Sequence, residues 1–312
     1  MLVTGALGCV GVWALKAALD DGDEPVGYDV GDATHRLELI LTPAELERVT
    51  LVRGDITDLD SFARTLDEHA ITRVVHLAAL QVPFCRADPA LGARVNVVGT
   101  VNVFEAVKQR LDRIAGVAYA SSAAVYGPDD PSPAPEQGGT APSTLYGVYK
   151  LANEGTARLY WADAGVPSVG IRPYVVYGVG RDQGMTSGPT LAMAAAARRE
   201  GFAIGYGGVA QYDYAPDVGR AFVRAAAEPA GAAVANFPGV SAPMEEVVAA
   251  IEAAAPEVAG HVTWDQTPLP FPATLEVRAL EQLLGPLPPT PLLEGVGETI
   301  ERFRSTEARR RL

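Results

Sequence analysis

Short apolar runs alternate with longer amphipathic stretches through the first 172 residues. The apolar runs predict strands at 2–4, 25–29, 51–54, 73–78, 115–121 and 167–172. The stretches between them predict helices at 10–19, 58–68, 94–111 and 146–164. Strands that are apolar on both faces and separated by helices are typical of a parallel sheet covered on both sides. We therefore expect an α/β fold built on a doubly wound parallel sheet.

The alternation weakens after residue 172. The pattern there predicts a glycine-rich loop at 178–189 and helices at 191–199, 217–228, 244–255 and 297–303. A short apolar run near 233–237 predicts a late strand that returns to the sheet. Residues 128–142 are rich in proline and predict a surface loop. We expect residues 174–312 to form mainly a small C-terminal lobe over the carboxyl edge of the sheet.

Charge and composition narrow the range of functions. The chain of 312 residues carries a formal net charge of −13, which disfavours nucleic acids and anionic membranes as partners. It has no apolar run near the roughly 20 residues of a spanning helix. Its N-terminus lacks the basic region of a secretory signal. Two cysteines and four scattered histidines give no disulfide framework and no metal motif, so we expect a cytoplasmic protein without a metal site.

A glycine motif lies between the first predicted strand and helix. Gly5, Gly8 and Gly11 would allow a tight turn, close approach of a pyrophosphate and close helix packing. The N–H groups near Cys9 and Val10 would then attract the phosphates. The same spacing would also suit an ordinary tight turn. Its position at the start of a strand–helix–strand unit favours a dinucleotide site.

A carboxylate at the end of the second strand indicates which dinucleotide is bound. Asp29 lies 18 residues after Gly11, where it could accept the adenosine ribose hydroxyls and repel a 2′-phosphate. This predicts NAD as the cofactor. A solvated turn aspartate is the alternative for Asp29, and Arg36 leaves NADP open.

Further cofactor contacts are expected after the third and fourth strands. Asp55 and Ile56 would flank the adenine. The small side chains of Ala78 and Ala79, next to Leu77 as a further contact, would let the cofactor lie across the strand ends. Asp58 is better explained as the N-cap of the following helix.

Three residues indicate redox chemistry at an alcohol. Tyr146 and Lys150 lie four residues apart in a predicted helix, and therefore on one face. The tyrosine could exchange a proton with an alcohol during hydride transfer, with its phenolate favoured by the lysine. Ser122 ends a strand 24 residues before Tyr146 and would orient the same oxygen. The tyrosine–lysine spacing alone could belong to an exposed helix face, but the added serine makes the combination specific.

Together these motifs resemble the extended short-chain dehydrogenase/reductases, also called the NAD-dependent epimerase/dehydratase family. The resemblance covers nearly the whole chain, through segments that include TGALGCVG (4–11), GYD (27–29), HLAA (76–79), SSAAVYG (121–127) and PTPLLEGVGETI (289–300). It implies a seven-stranded Rossmann sheet in a dinucleotide-binding domain of residues 1–173, followed by a substrate-binding lobe.

The resemblance also implies roles for individual residues. Ser122, Tyr146 and Lys150 take the catalytic positions, and Lys150 also holds the nicotinamide ribose. Asn96 supports the active site, while Pro173 and Tyr174 lie near the nicotinamide. A homodimer would form through the helices at 94–111 and 146–164.

Two departures from sugar-nucleotide enzymes of the family bear on the substrate. Val175 stands where those enzymes have an asparagine, and Ala210 where they have an arginine for the diphosphate. Arg181 could instead bind hydroxyls or a carboxylate. Either it or Arg86 could also be a solvated surface charge. The candidate substrate residues are Gln81, Arg86, Ala123, Arg181, Gln183, Thr186 and Ser187.

We therefore predict an NAD-dependent oxidoreductase of carbohydrate metabolism. It would act at a secondary alcohol or ketone of a sugar, sugar acid or related small polyol. The alternative is a nucleotide-sugar 4-epimerase or dehydratase that recycles its NAD within one turnover. A dinucleotide-sensing protein without catalysis is a third possibility, but it would not need the serine, tyrosine and lysine together.

Overall fold

A computed structural model describes residues 1–227 and 229–310. The strands, numbered in chain order, are β1 (Leu2–Thr4), β2 (Val26–Asp29), β3 (Thr50–Arg53), β4 (Val74–His76), β5 (Val117–Ala120), β6 (Ser168–Arg172), β7 (Val175–Tyr177), β8 (Phe202–Ile204), β9 (Val209–Tyr214), β10 (Ala232–Asn236), β11 (Val240–Pro243) and β12 (Val262–Trp264). The α-helices are α1 (Cys9–Asp20), α2 (His35–Ile40), α3 (Pro43–Leu46), α4 (Leu59–Glu68), α5 (Val82–Ala87), α6 (Pro89–Ala93), α7 (Gly99–Lys108), α8 (Leu145–Ala164), α9 (Gly188–Ala197), α10 (Ala215–Ala225), α11 (Met244–Ala254), α12 (Ala279–Leu284) and α13 (Leu292–Arg310).

Seven parallel strands form the main sheet in the order β10-β6-β5-β4-β1-β2-β3. The doubly wound parallel sheet predicted from the sequence is confirmed. The chain begins at β1, proceeds outward to β3 and then crosses to β4 on the other side of β1. Ligands of such sheets bind in the crevice at this switch point, beyond the carboxyl ends of the strands.

Helices cover both faces of the main sheet. On one face α1 and α10 bury Trp13, Leu15 and Phe222. On the other face α4 and α7 bury Phe62 and Phe104. Because apolar side chains cover both sides, the strands read as continuous apolar runs rather than as alternating ones.

The helix predicted over 94–111 is interrupted. Residues Arg94–Val98 form one turn of π-helix, and α7 then runs from Gly99 to Lys108. A Cβ on Gly99 would lie 2.8 Å from a methyl carbon of Ile56, so α7 begins in close contact with the loop after β3. The apolar periodicity predicted helix here but did not reveal the wider turn.

The helix predicted over 217–228 spans 215–225 in the structure, and Glu228 lies outside the described residues. The strand expected near 233–237 is β10, which pairs with β6 at the edge of the main sheet. The lobe adds a three-stranded sheet, β11-β9-β7, and a pair, β12-β8. A second core around Met193, Tyr212 and Ile251 fills it.

The proline-rich segment 128–142 is more than a surface loop. Ala134 is fully buried and forms a bridge with Leu275 of the lobe. The Glu136 carboxylate accepts hydrogen bonds from the backbone N–H groups of Asn236, Arg278 and Ala279. The segment is partly buried because it joins the sheet to the lobe. Among the described residues, no helix is long and apolar enough to cross a membrane.

Candidate active site

A cleft of about 640 Å³ crosses the carboxyl ends of the strands at the switch point. Asp29, the last residue of β2, and Ser122, two residues after β5, both line it. Three strand spacings separate these two positions, a span of roughly 14 Å. The cleft is therefore long enough to bring an extended ligand from the glycine motif to the predicted catalytic residues.

The glycine motif leaves its backbone open to the cleft. Gly5 has a positive φ of 66°, and a Cβ there would lie 2.7 Å from the backbone nitrogen of Ala78. A Cβ on Gly11 would lie 2.1 Å from the carbonyl oxygen of Gly5. Gly8 is the N-cap of α1 and offers no side chain to cap it. Gly5, Gly8, Cys9, Val10 and Gly11 all line the cleft, as a pyrophosphate cradle requires.

Asp29 is held in place by two backbone groups. Its carboxylate accepts hydrogen bonds from the N–H of Leu7, at 3.0 Å, and of Gly31, at 2.9 Å. Each oxygen keeps a lone pair for a ligand hydroxyl. Asp55 and Ile56 line the cleft next to this position, as do Leu77, Ala78 and Ala79.

A buried histidine fixes the end of β4. His76 hydrogen-bonds Thr4 through Nδ1, at 2.8 Å, and Thr100 through Nε2, at 3.0 Å. Thr4 in turn accepts the N–H groups of Leu77 and Ala78. Burial, helped by the charge of Lys150, lowers the pKa of His76 to about 3, so the ring is neutral. The sequence marked this segment only as HLAA and gave the histidine no role.

Ser122, Tyr146 and Lys150 meet in the cleft. The Ser122 hydroxyl accepts the N–H of Ala124 at 3.1 Å. The Lys150 ammonium donates to the Ala120 carbonyl at 2.6 Å and lies 5.6 Å from the centre of the Tyr146 ring. Lys150 is buried, and burial lowers its pKa to about 8.

Two opposing effects act on the Tyr146 phenol. Burial raises its pKa, whereas hydrogen bonding to Ser122 and the charge of Arg181 lower it. The sequence assigned the lowering effect to Lys150. In the structure the Lys150 ammonium donates to the Ala120 carbonyl next to the Tyr146 ring, and Arg181 is a second cation that favours the phenolate.

Asn96 lies behind the cleft wall rather than on it. Its amide group binds both backbone groups of Leu80, at 2.7 and 2.9 Å, and contacts the Cys85 sulfur. Asn153 of α8 donates to the Asn96 carbonyl at 2.9 Å. Asn96 therefore supports the loop that follows β4, and it does not itself line the cleft.

A buried ion pair stands next to the three catalytic candidates. Arg172 at the end of β6 binds Glu154 of α8 through two contacts of 2.7 Å. Ser121 donates to the same carboxylate, and the Tyr126 hydroxyl accepts from Arg172 at 2.7 Å. The pair fixes α8 against β5 and β6. No motif quoted from the sequence indicated this ion pair.

The predicted substrate residues divide into two groups. Gln81, Ala123, Arg181 and Thr186 line the cleft, together with Pro173 and Tyr174. Arg86 and Gln183 are exposed outside it, and Ser187 is buried with its hydroxyl bonded to the Gly184 carbonyl. Arg86 lies outside the cleft in the last turn of the short helix α5, which the sequence did not predict.

Arg181 has unused hydrogen-bonding capacity within the cleft. Its Nη2 donates to the Thr186 hydroxyl at 3.2 Å, but its Nε is buried without a partner among the described residues. The Tyr174 hydroxyl is likewise buried and unpaired there. Phe271 packs on the Tyr174 ring, 6.0 Å between centres, and Met185 adds to this wall. No motif in the sequence indicated Phe271 or Met185.

The two positions that differ from the sugar-nucleotide enzymes, Val175 and Ala210, offer no polar group to a ligand. Val175 and Ala210 are fully buried in β7 and β9, and neither lines the cleft. Gln211, next to Ala210, is also buried and donates to Asp213 and to the Phe237 carbonyl. This part of the lobe is packed as core.

The cleft lies at the switch point of the sheet and combines a glycine cradle with a serine, a tyrosine and a lysine. This combination is typical of nucleotide-dependent oxidoreductases. The family model described as "NAD dependent epimerase/dehydratase family" matches residues 1–236. The chain belongs to this family, so the family, enzyme class and NAD dependence predicted from the sequence are confirmed.

The chain is 31% identical to UDP-glucose 4-epimerase of Mycolicibacterium smegmatis, over 97% of this chain and 98% of that protein. This chain is also 34% identical to UDP-glucuronate 4-epimerase 2 of Arabidopsis thaliana, in a match that covers 57% of this chain. The chain spans only 42% of the length of that relative.

The solved structures that superpose on this chain belong to proteins with different activities. MoeE5 in complex with UDP-glucose and NAD superposes with a TM-score of 0.79 at 28% identity, covering 98% of this chain and 99% of MoeE5. L-threonine dehydrogenase of Clostridium difficile superposes with a TM-score of 0.84 at 21% identity, covering 98% and 97%. The second likeness is one of fold alone.

Proposed function

We propose that this protein is an NAD-dependent oxidoreductase that oxidises or reduces a secondary alcohol or ketone of a sugar, sugar acid or related small polyol. One observation carries the proposal: Ser122, Tyr146 and Lys150 share a cleft with the glycine motif and Asp29. An oxidoreductase needs this combination, whereas a dinucleotide sensor needs only the glycine motif and the carboxylate.

The cleft residues fit NAD. The glycine motif would hold the pyrophosphate, Asp29 the adenosine ribose, and Lys150 the nicotinamide ribose next to Pro173 and Tyr174. Asp55, Ile56 and the alanines after β4 would contact the adenine side. When bound, NAD takes up a hydride from the substrate carbon or returns it.

The catalytic residues would act on the substrate oxygen. Tyr146 takes the proton from a hydroxyl during oxidation and returns it to the oxygen during reduction. Ser122 donates a hydrogen bond that orients the same oxygen. Lys150 is cationic below its pKa of about 8, and the Ala120 carbonyl holds it in the cleft.

The remaining cleft wall supports a small polar substrate. Gln81, Arg181 and Thr186 offer hydrogen bonds, and the free Nε of Arg181 suits a carboxylate. Buried Val175 and Ala210 offer none to a diphosphate.

The second candidate function is a nucleotide-sugar 4-epimerase with internally recycled NAD. It is favoured by the full-length match to UDP-glucose 4-epimerase of Mycolicibacterium smegmatis. It would use the same three catalytic residues. It differs in producing no net NADH, which makes the two functions separable by experiment.

Substitution of one tyrosine tests the catalytic assignment. Tyr146→Phe should bind NAD as the wild type does, measured by calorimetry, and lose about 10²- to 10⁴-fold in turnover. Tyr149→Phe is the matched control, because its hydroxyl lies on the same helix and donates to the Pro89 carbonyl. Equal turnover in the Tyr146 variant and wild type would contradict the assignment.

We also infer a homodimer that forms through the helices at 94–111 and 146–164, in a reducing cytoplasm. An exposed apolar row of Leu145, Val148 and Leu159 follows helical spacing along α8. Both cysteines are free. Leu159→Glu should give monomers in sedimentation, and a wild type that is itself monomeric would contradict the inference.

A further inference from the structure

An arginine in the wall of the cleft stands beside Asp29. Arg36 of α2 donates through Nη1 to the Leu7 carbonyl at 2.9 Å, while the Leu7 N–H binds the Asp29 carboxylate. The guanidinium and the carboxylate therefore engage the two backbone groups of one residue. An unpaired arginine next to the adenosine ribose site would attract the 2′-phosphate of NADP.

Arg36 is engaged by a carboxylate from a distant segment. Asp182, from the loop between β7 and α9, binds Arg36 Nη2 at 2.7 Å and Nε at 3.1 Å. The side chain of Arg36 is only 15% exposed in this contact. His35 also reaches Asp182, through Nε2 at 3.2 Å. Arg36 therefore binds the Leu7 carbonyl through Nη1 and the Asp182 carboxylate through Nε and Nη2.

The loop that carries Asp182 is anchored. Trp13 of α1 donates through Nε1 to the Val179 carbonyl at 2.9 Å. A Cβ on Gly180, which has a φ of +93°, would lie 3.7 Å from the Cα of Cys9. Because the loop packs directly on the start of α1, Asp182 is held against Arg36.

Charge balance separates the roles of the two carboxylates. Asp29 and Arg36 alone would nearly cancel as seen by a ribose phosphate, so Asp29 alone does not account for rejection of NADP. Asp29, Arg36 and Asp182 together carry one net negative charge next to the proposed ribose site.

We propose that Asp182 is a cofactor-specificity residue, which neutralises Arg36 and so keeps the cleft selective for NAD over NADP. The inference rests on the proposed binding of a dinucleotide in this cleft. It assigns selectivity to a residue of the substrate-side loop, about 150 positions from the adenosine motif in sequence.

Calorimetric titration of the whole protein with NAD and with NADP tests the proposal without any substrate. Asp182→Asn removes the charge at nearly constant shape. It should tighten NADP binding by about tenfold and change NAD binding by less than about threefold. The double variant Arg36→Ala/Asp182→Asn should lose that gain, and added salt should reduce it. Glu38→Gln is the control, because Glu38 lies on the same helix and binds Thr34 instead.

Three results would overturn the proposal. The first is an unchanged NADP dissociation constant in Asp182→Asn. The second is an equal gain in Glu38→Gln, which would indicate a general charge effect. The third is equal weakening of both cofactors with a lower melting temperature, which would make Asp182 only a loop anchor. A wild type that binds neither dinucleotide would contradict the proposed function itself, and the inference with it.

Discussion

At the scale of single residues, the Tyr146 phenol is controlled by groups from three parts of the chain. Ser122 follows β5, Tyr146 lies in the first turn of α8, and Arg181 belongs to the loop before α9. Burial opposes the phenolate, so the nearby cation and hydrogen bond decide how readily the tyrosine acts as a base.

Removing the cation should therefore raise the pKa of Tyr146 further. In Arg181→Met we expect the acid limb of the kcat/KM profile for alcohol oxidation to move to higher pH. Arg86→Met, an exposed arginine outside the cleft, should leave the profile in place. Profiles that coincide for Arg181→Met and wild type would contradict the assigned coupling.

We expect Asp29 to stabilise bound NAD more than bound NADP. Asp29→Ala should weaken NAD by about tenfold or more, because a charged acceptor for the ribose hydroxyls is lost. NADP should weaken less, so the gap between the two cofactors narrows. Calorimetry measures both, with Asp32→Ala as a nearby exposed control. Equal losses for both cofactors would refute this role.

The sequence indicated the residues that form local motifs. Gly5, Asp29 and Ser122 were found because each stands at the end of a predicted strand. Tyr146 and Lys150 were found because they lie four residues apart on one helix face. Contacts between distant segments gave no such signal. Examples are the Arg172–Glu154 ion pair and the influence of Arg181 on Tyr146, which depend on how the chain folds.

At the scale of elements, the start of α1 depends on a close approach that only glycine permits. In Gly11→Ala the new Cβ would stand 2.1 Å from the Gly5 carbonyl oxygen, so the loop or the helix must move. We expect a loss of more than about 2 kcal/mol in the free energy of unfolding. NAD binding should weaken as well, because the displaced backbone forms the cradle.

A matched substitution separates this effect from ordinary helix propensity. Gly155 of α8 has open space around its Cα, so Gly155→Ala should gain about 0.5 to 1 kcal/mol. Urea unfolding and calorimetry of both variants provide the test. A Gly11→Ala variant as stable as Gly155→Ala would contradict the packing described for the glycine motif.

The elements found from the sequence were those with several turns or a fully apolar strand. The short helices α2, α5 and α6 were missed, because five or six residues carry too little periodicity. The π-turn at 94–98 was missed because apolar periodicity does not distinguish a wider turn from an ordinary helical one. The lobe strands β8 and β12 have three residues each and depend on pairing with one another.

At the scale of the whole molecule, a neutral buried histidine links stability to pH. The pKa of His76 is about 3 in the folded protein and 6.5 when exposed, so acid protonates the unfolded chain first. Its contribution is complete above pH 6.5 and is lost as the pH falls toward 3. By pH 5 the loss should be about 2 kcal/mol.

Unfolding at pH 7 and pH 5 measures this linkage. The decrease between the two should be smaller in His76→Gln than in wild type. His69→Gln, an exposed histidine at the end of α4, should behave as the wild type does. The same decrease in all three proteins would show that carboxylates alone cause the acid loss.

The sequence predicted the main sheet but did not predict how the lobe is joined to it. The doubly wound sheet follows from its apolar strands. The joining of lobe to sheet through Glu136 and Ala134 was hidden, because their segment has the composition of a surface loop. Such joints are specified by hydrogen bonds between residues that are over 90 positions apart.

The balance of cofactor during turnover tests the proposed function most directly. The protein is mixed with NAD and a panel of free aldoses, uronates, aldonates and sugar nucleotides. NADH is followed by absorbance and the organic product by mass and NMR. We predict that NADH accumulates in step with an oxidised free sugar or sugar acid. Conversion of a sugar nucleotide with no net NADH would contradict this and identify an epimerase or dehydratase.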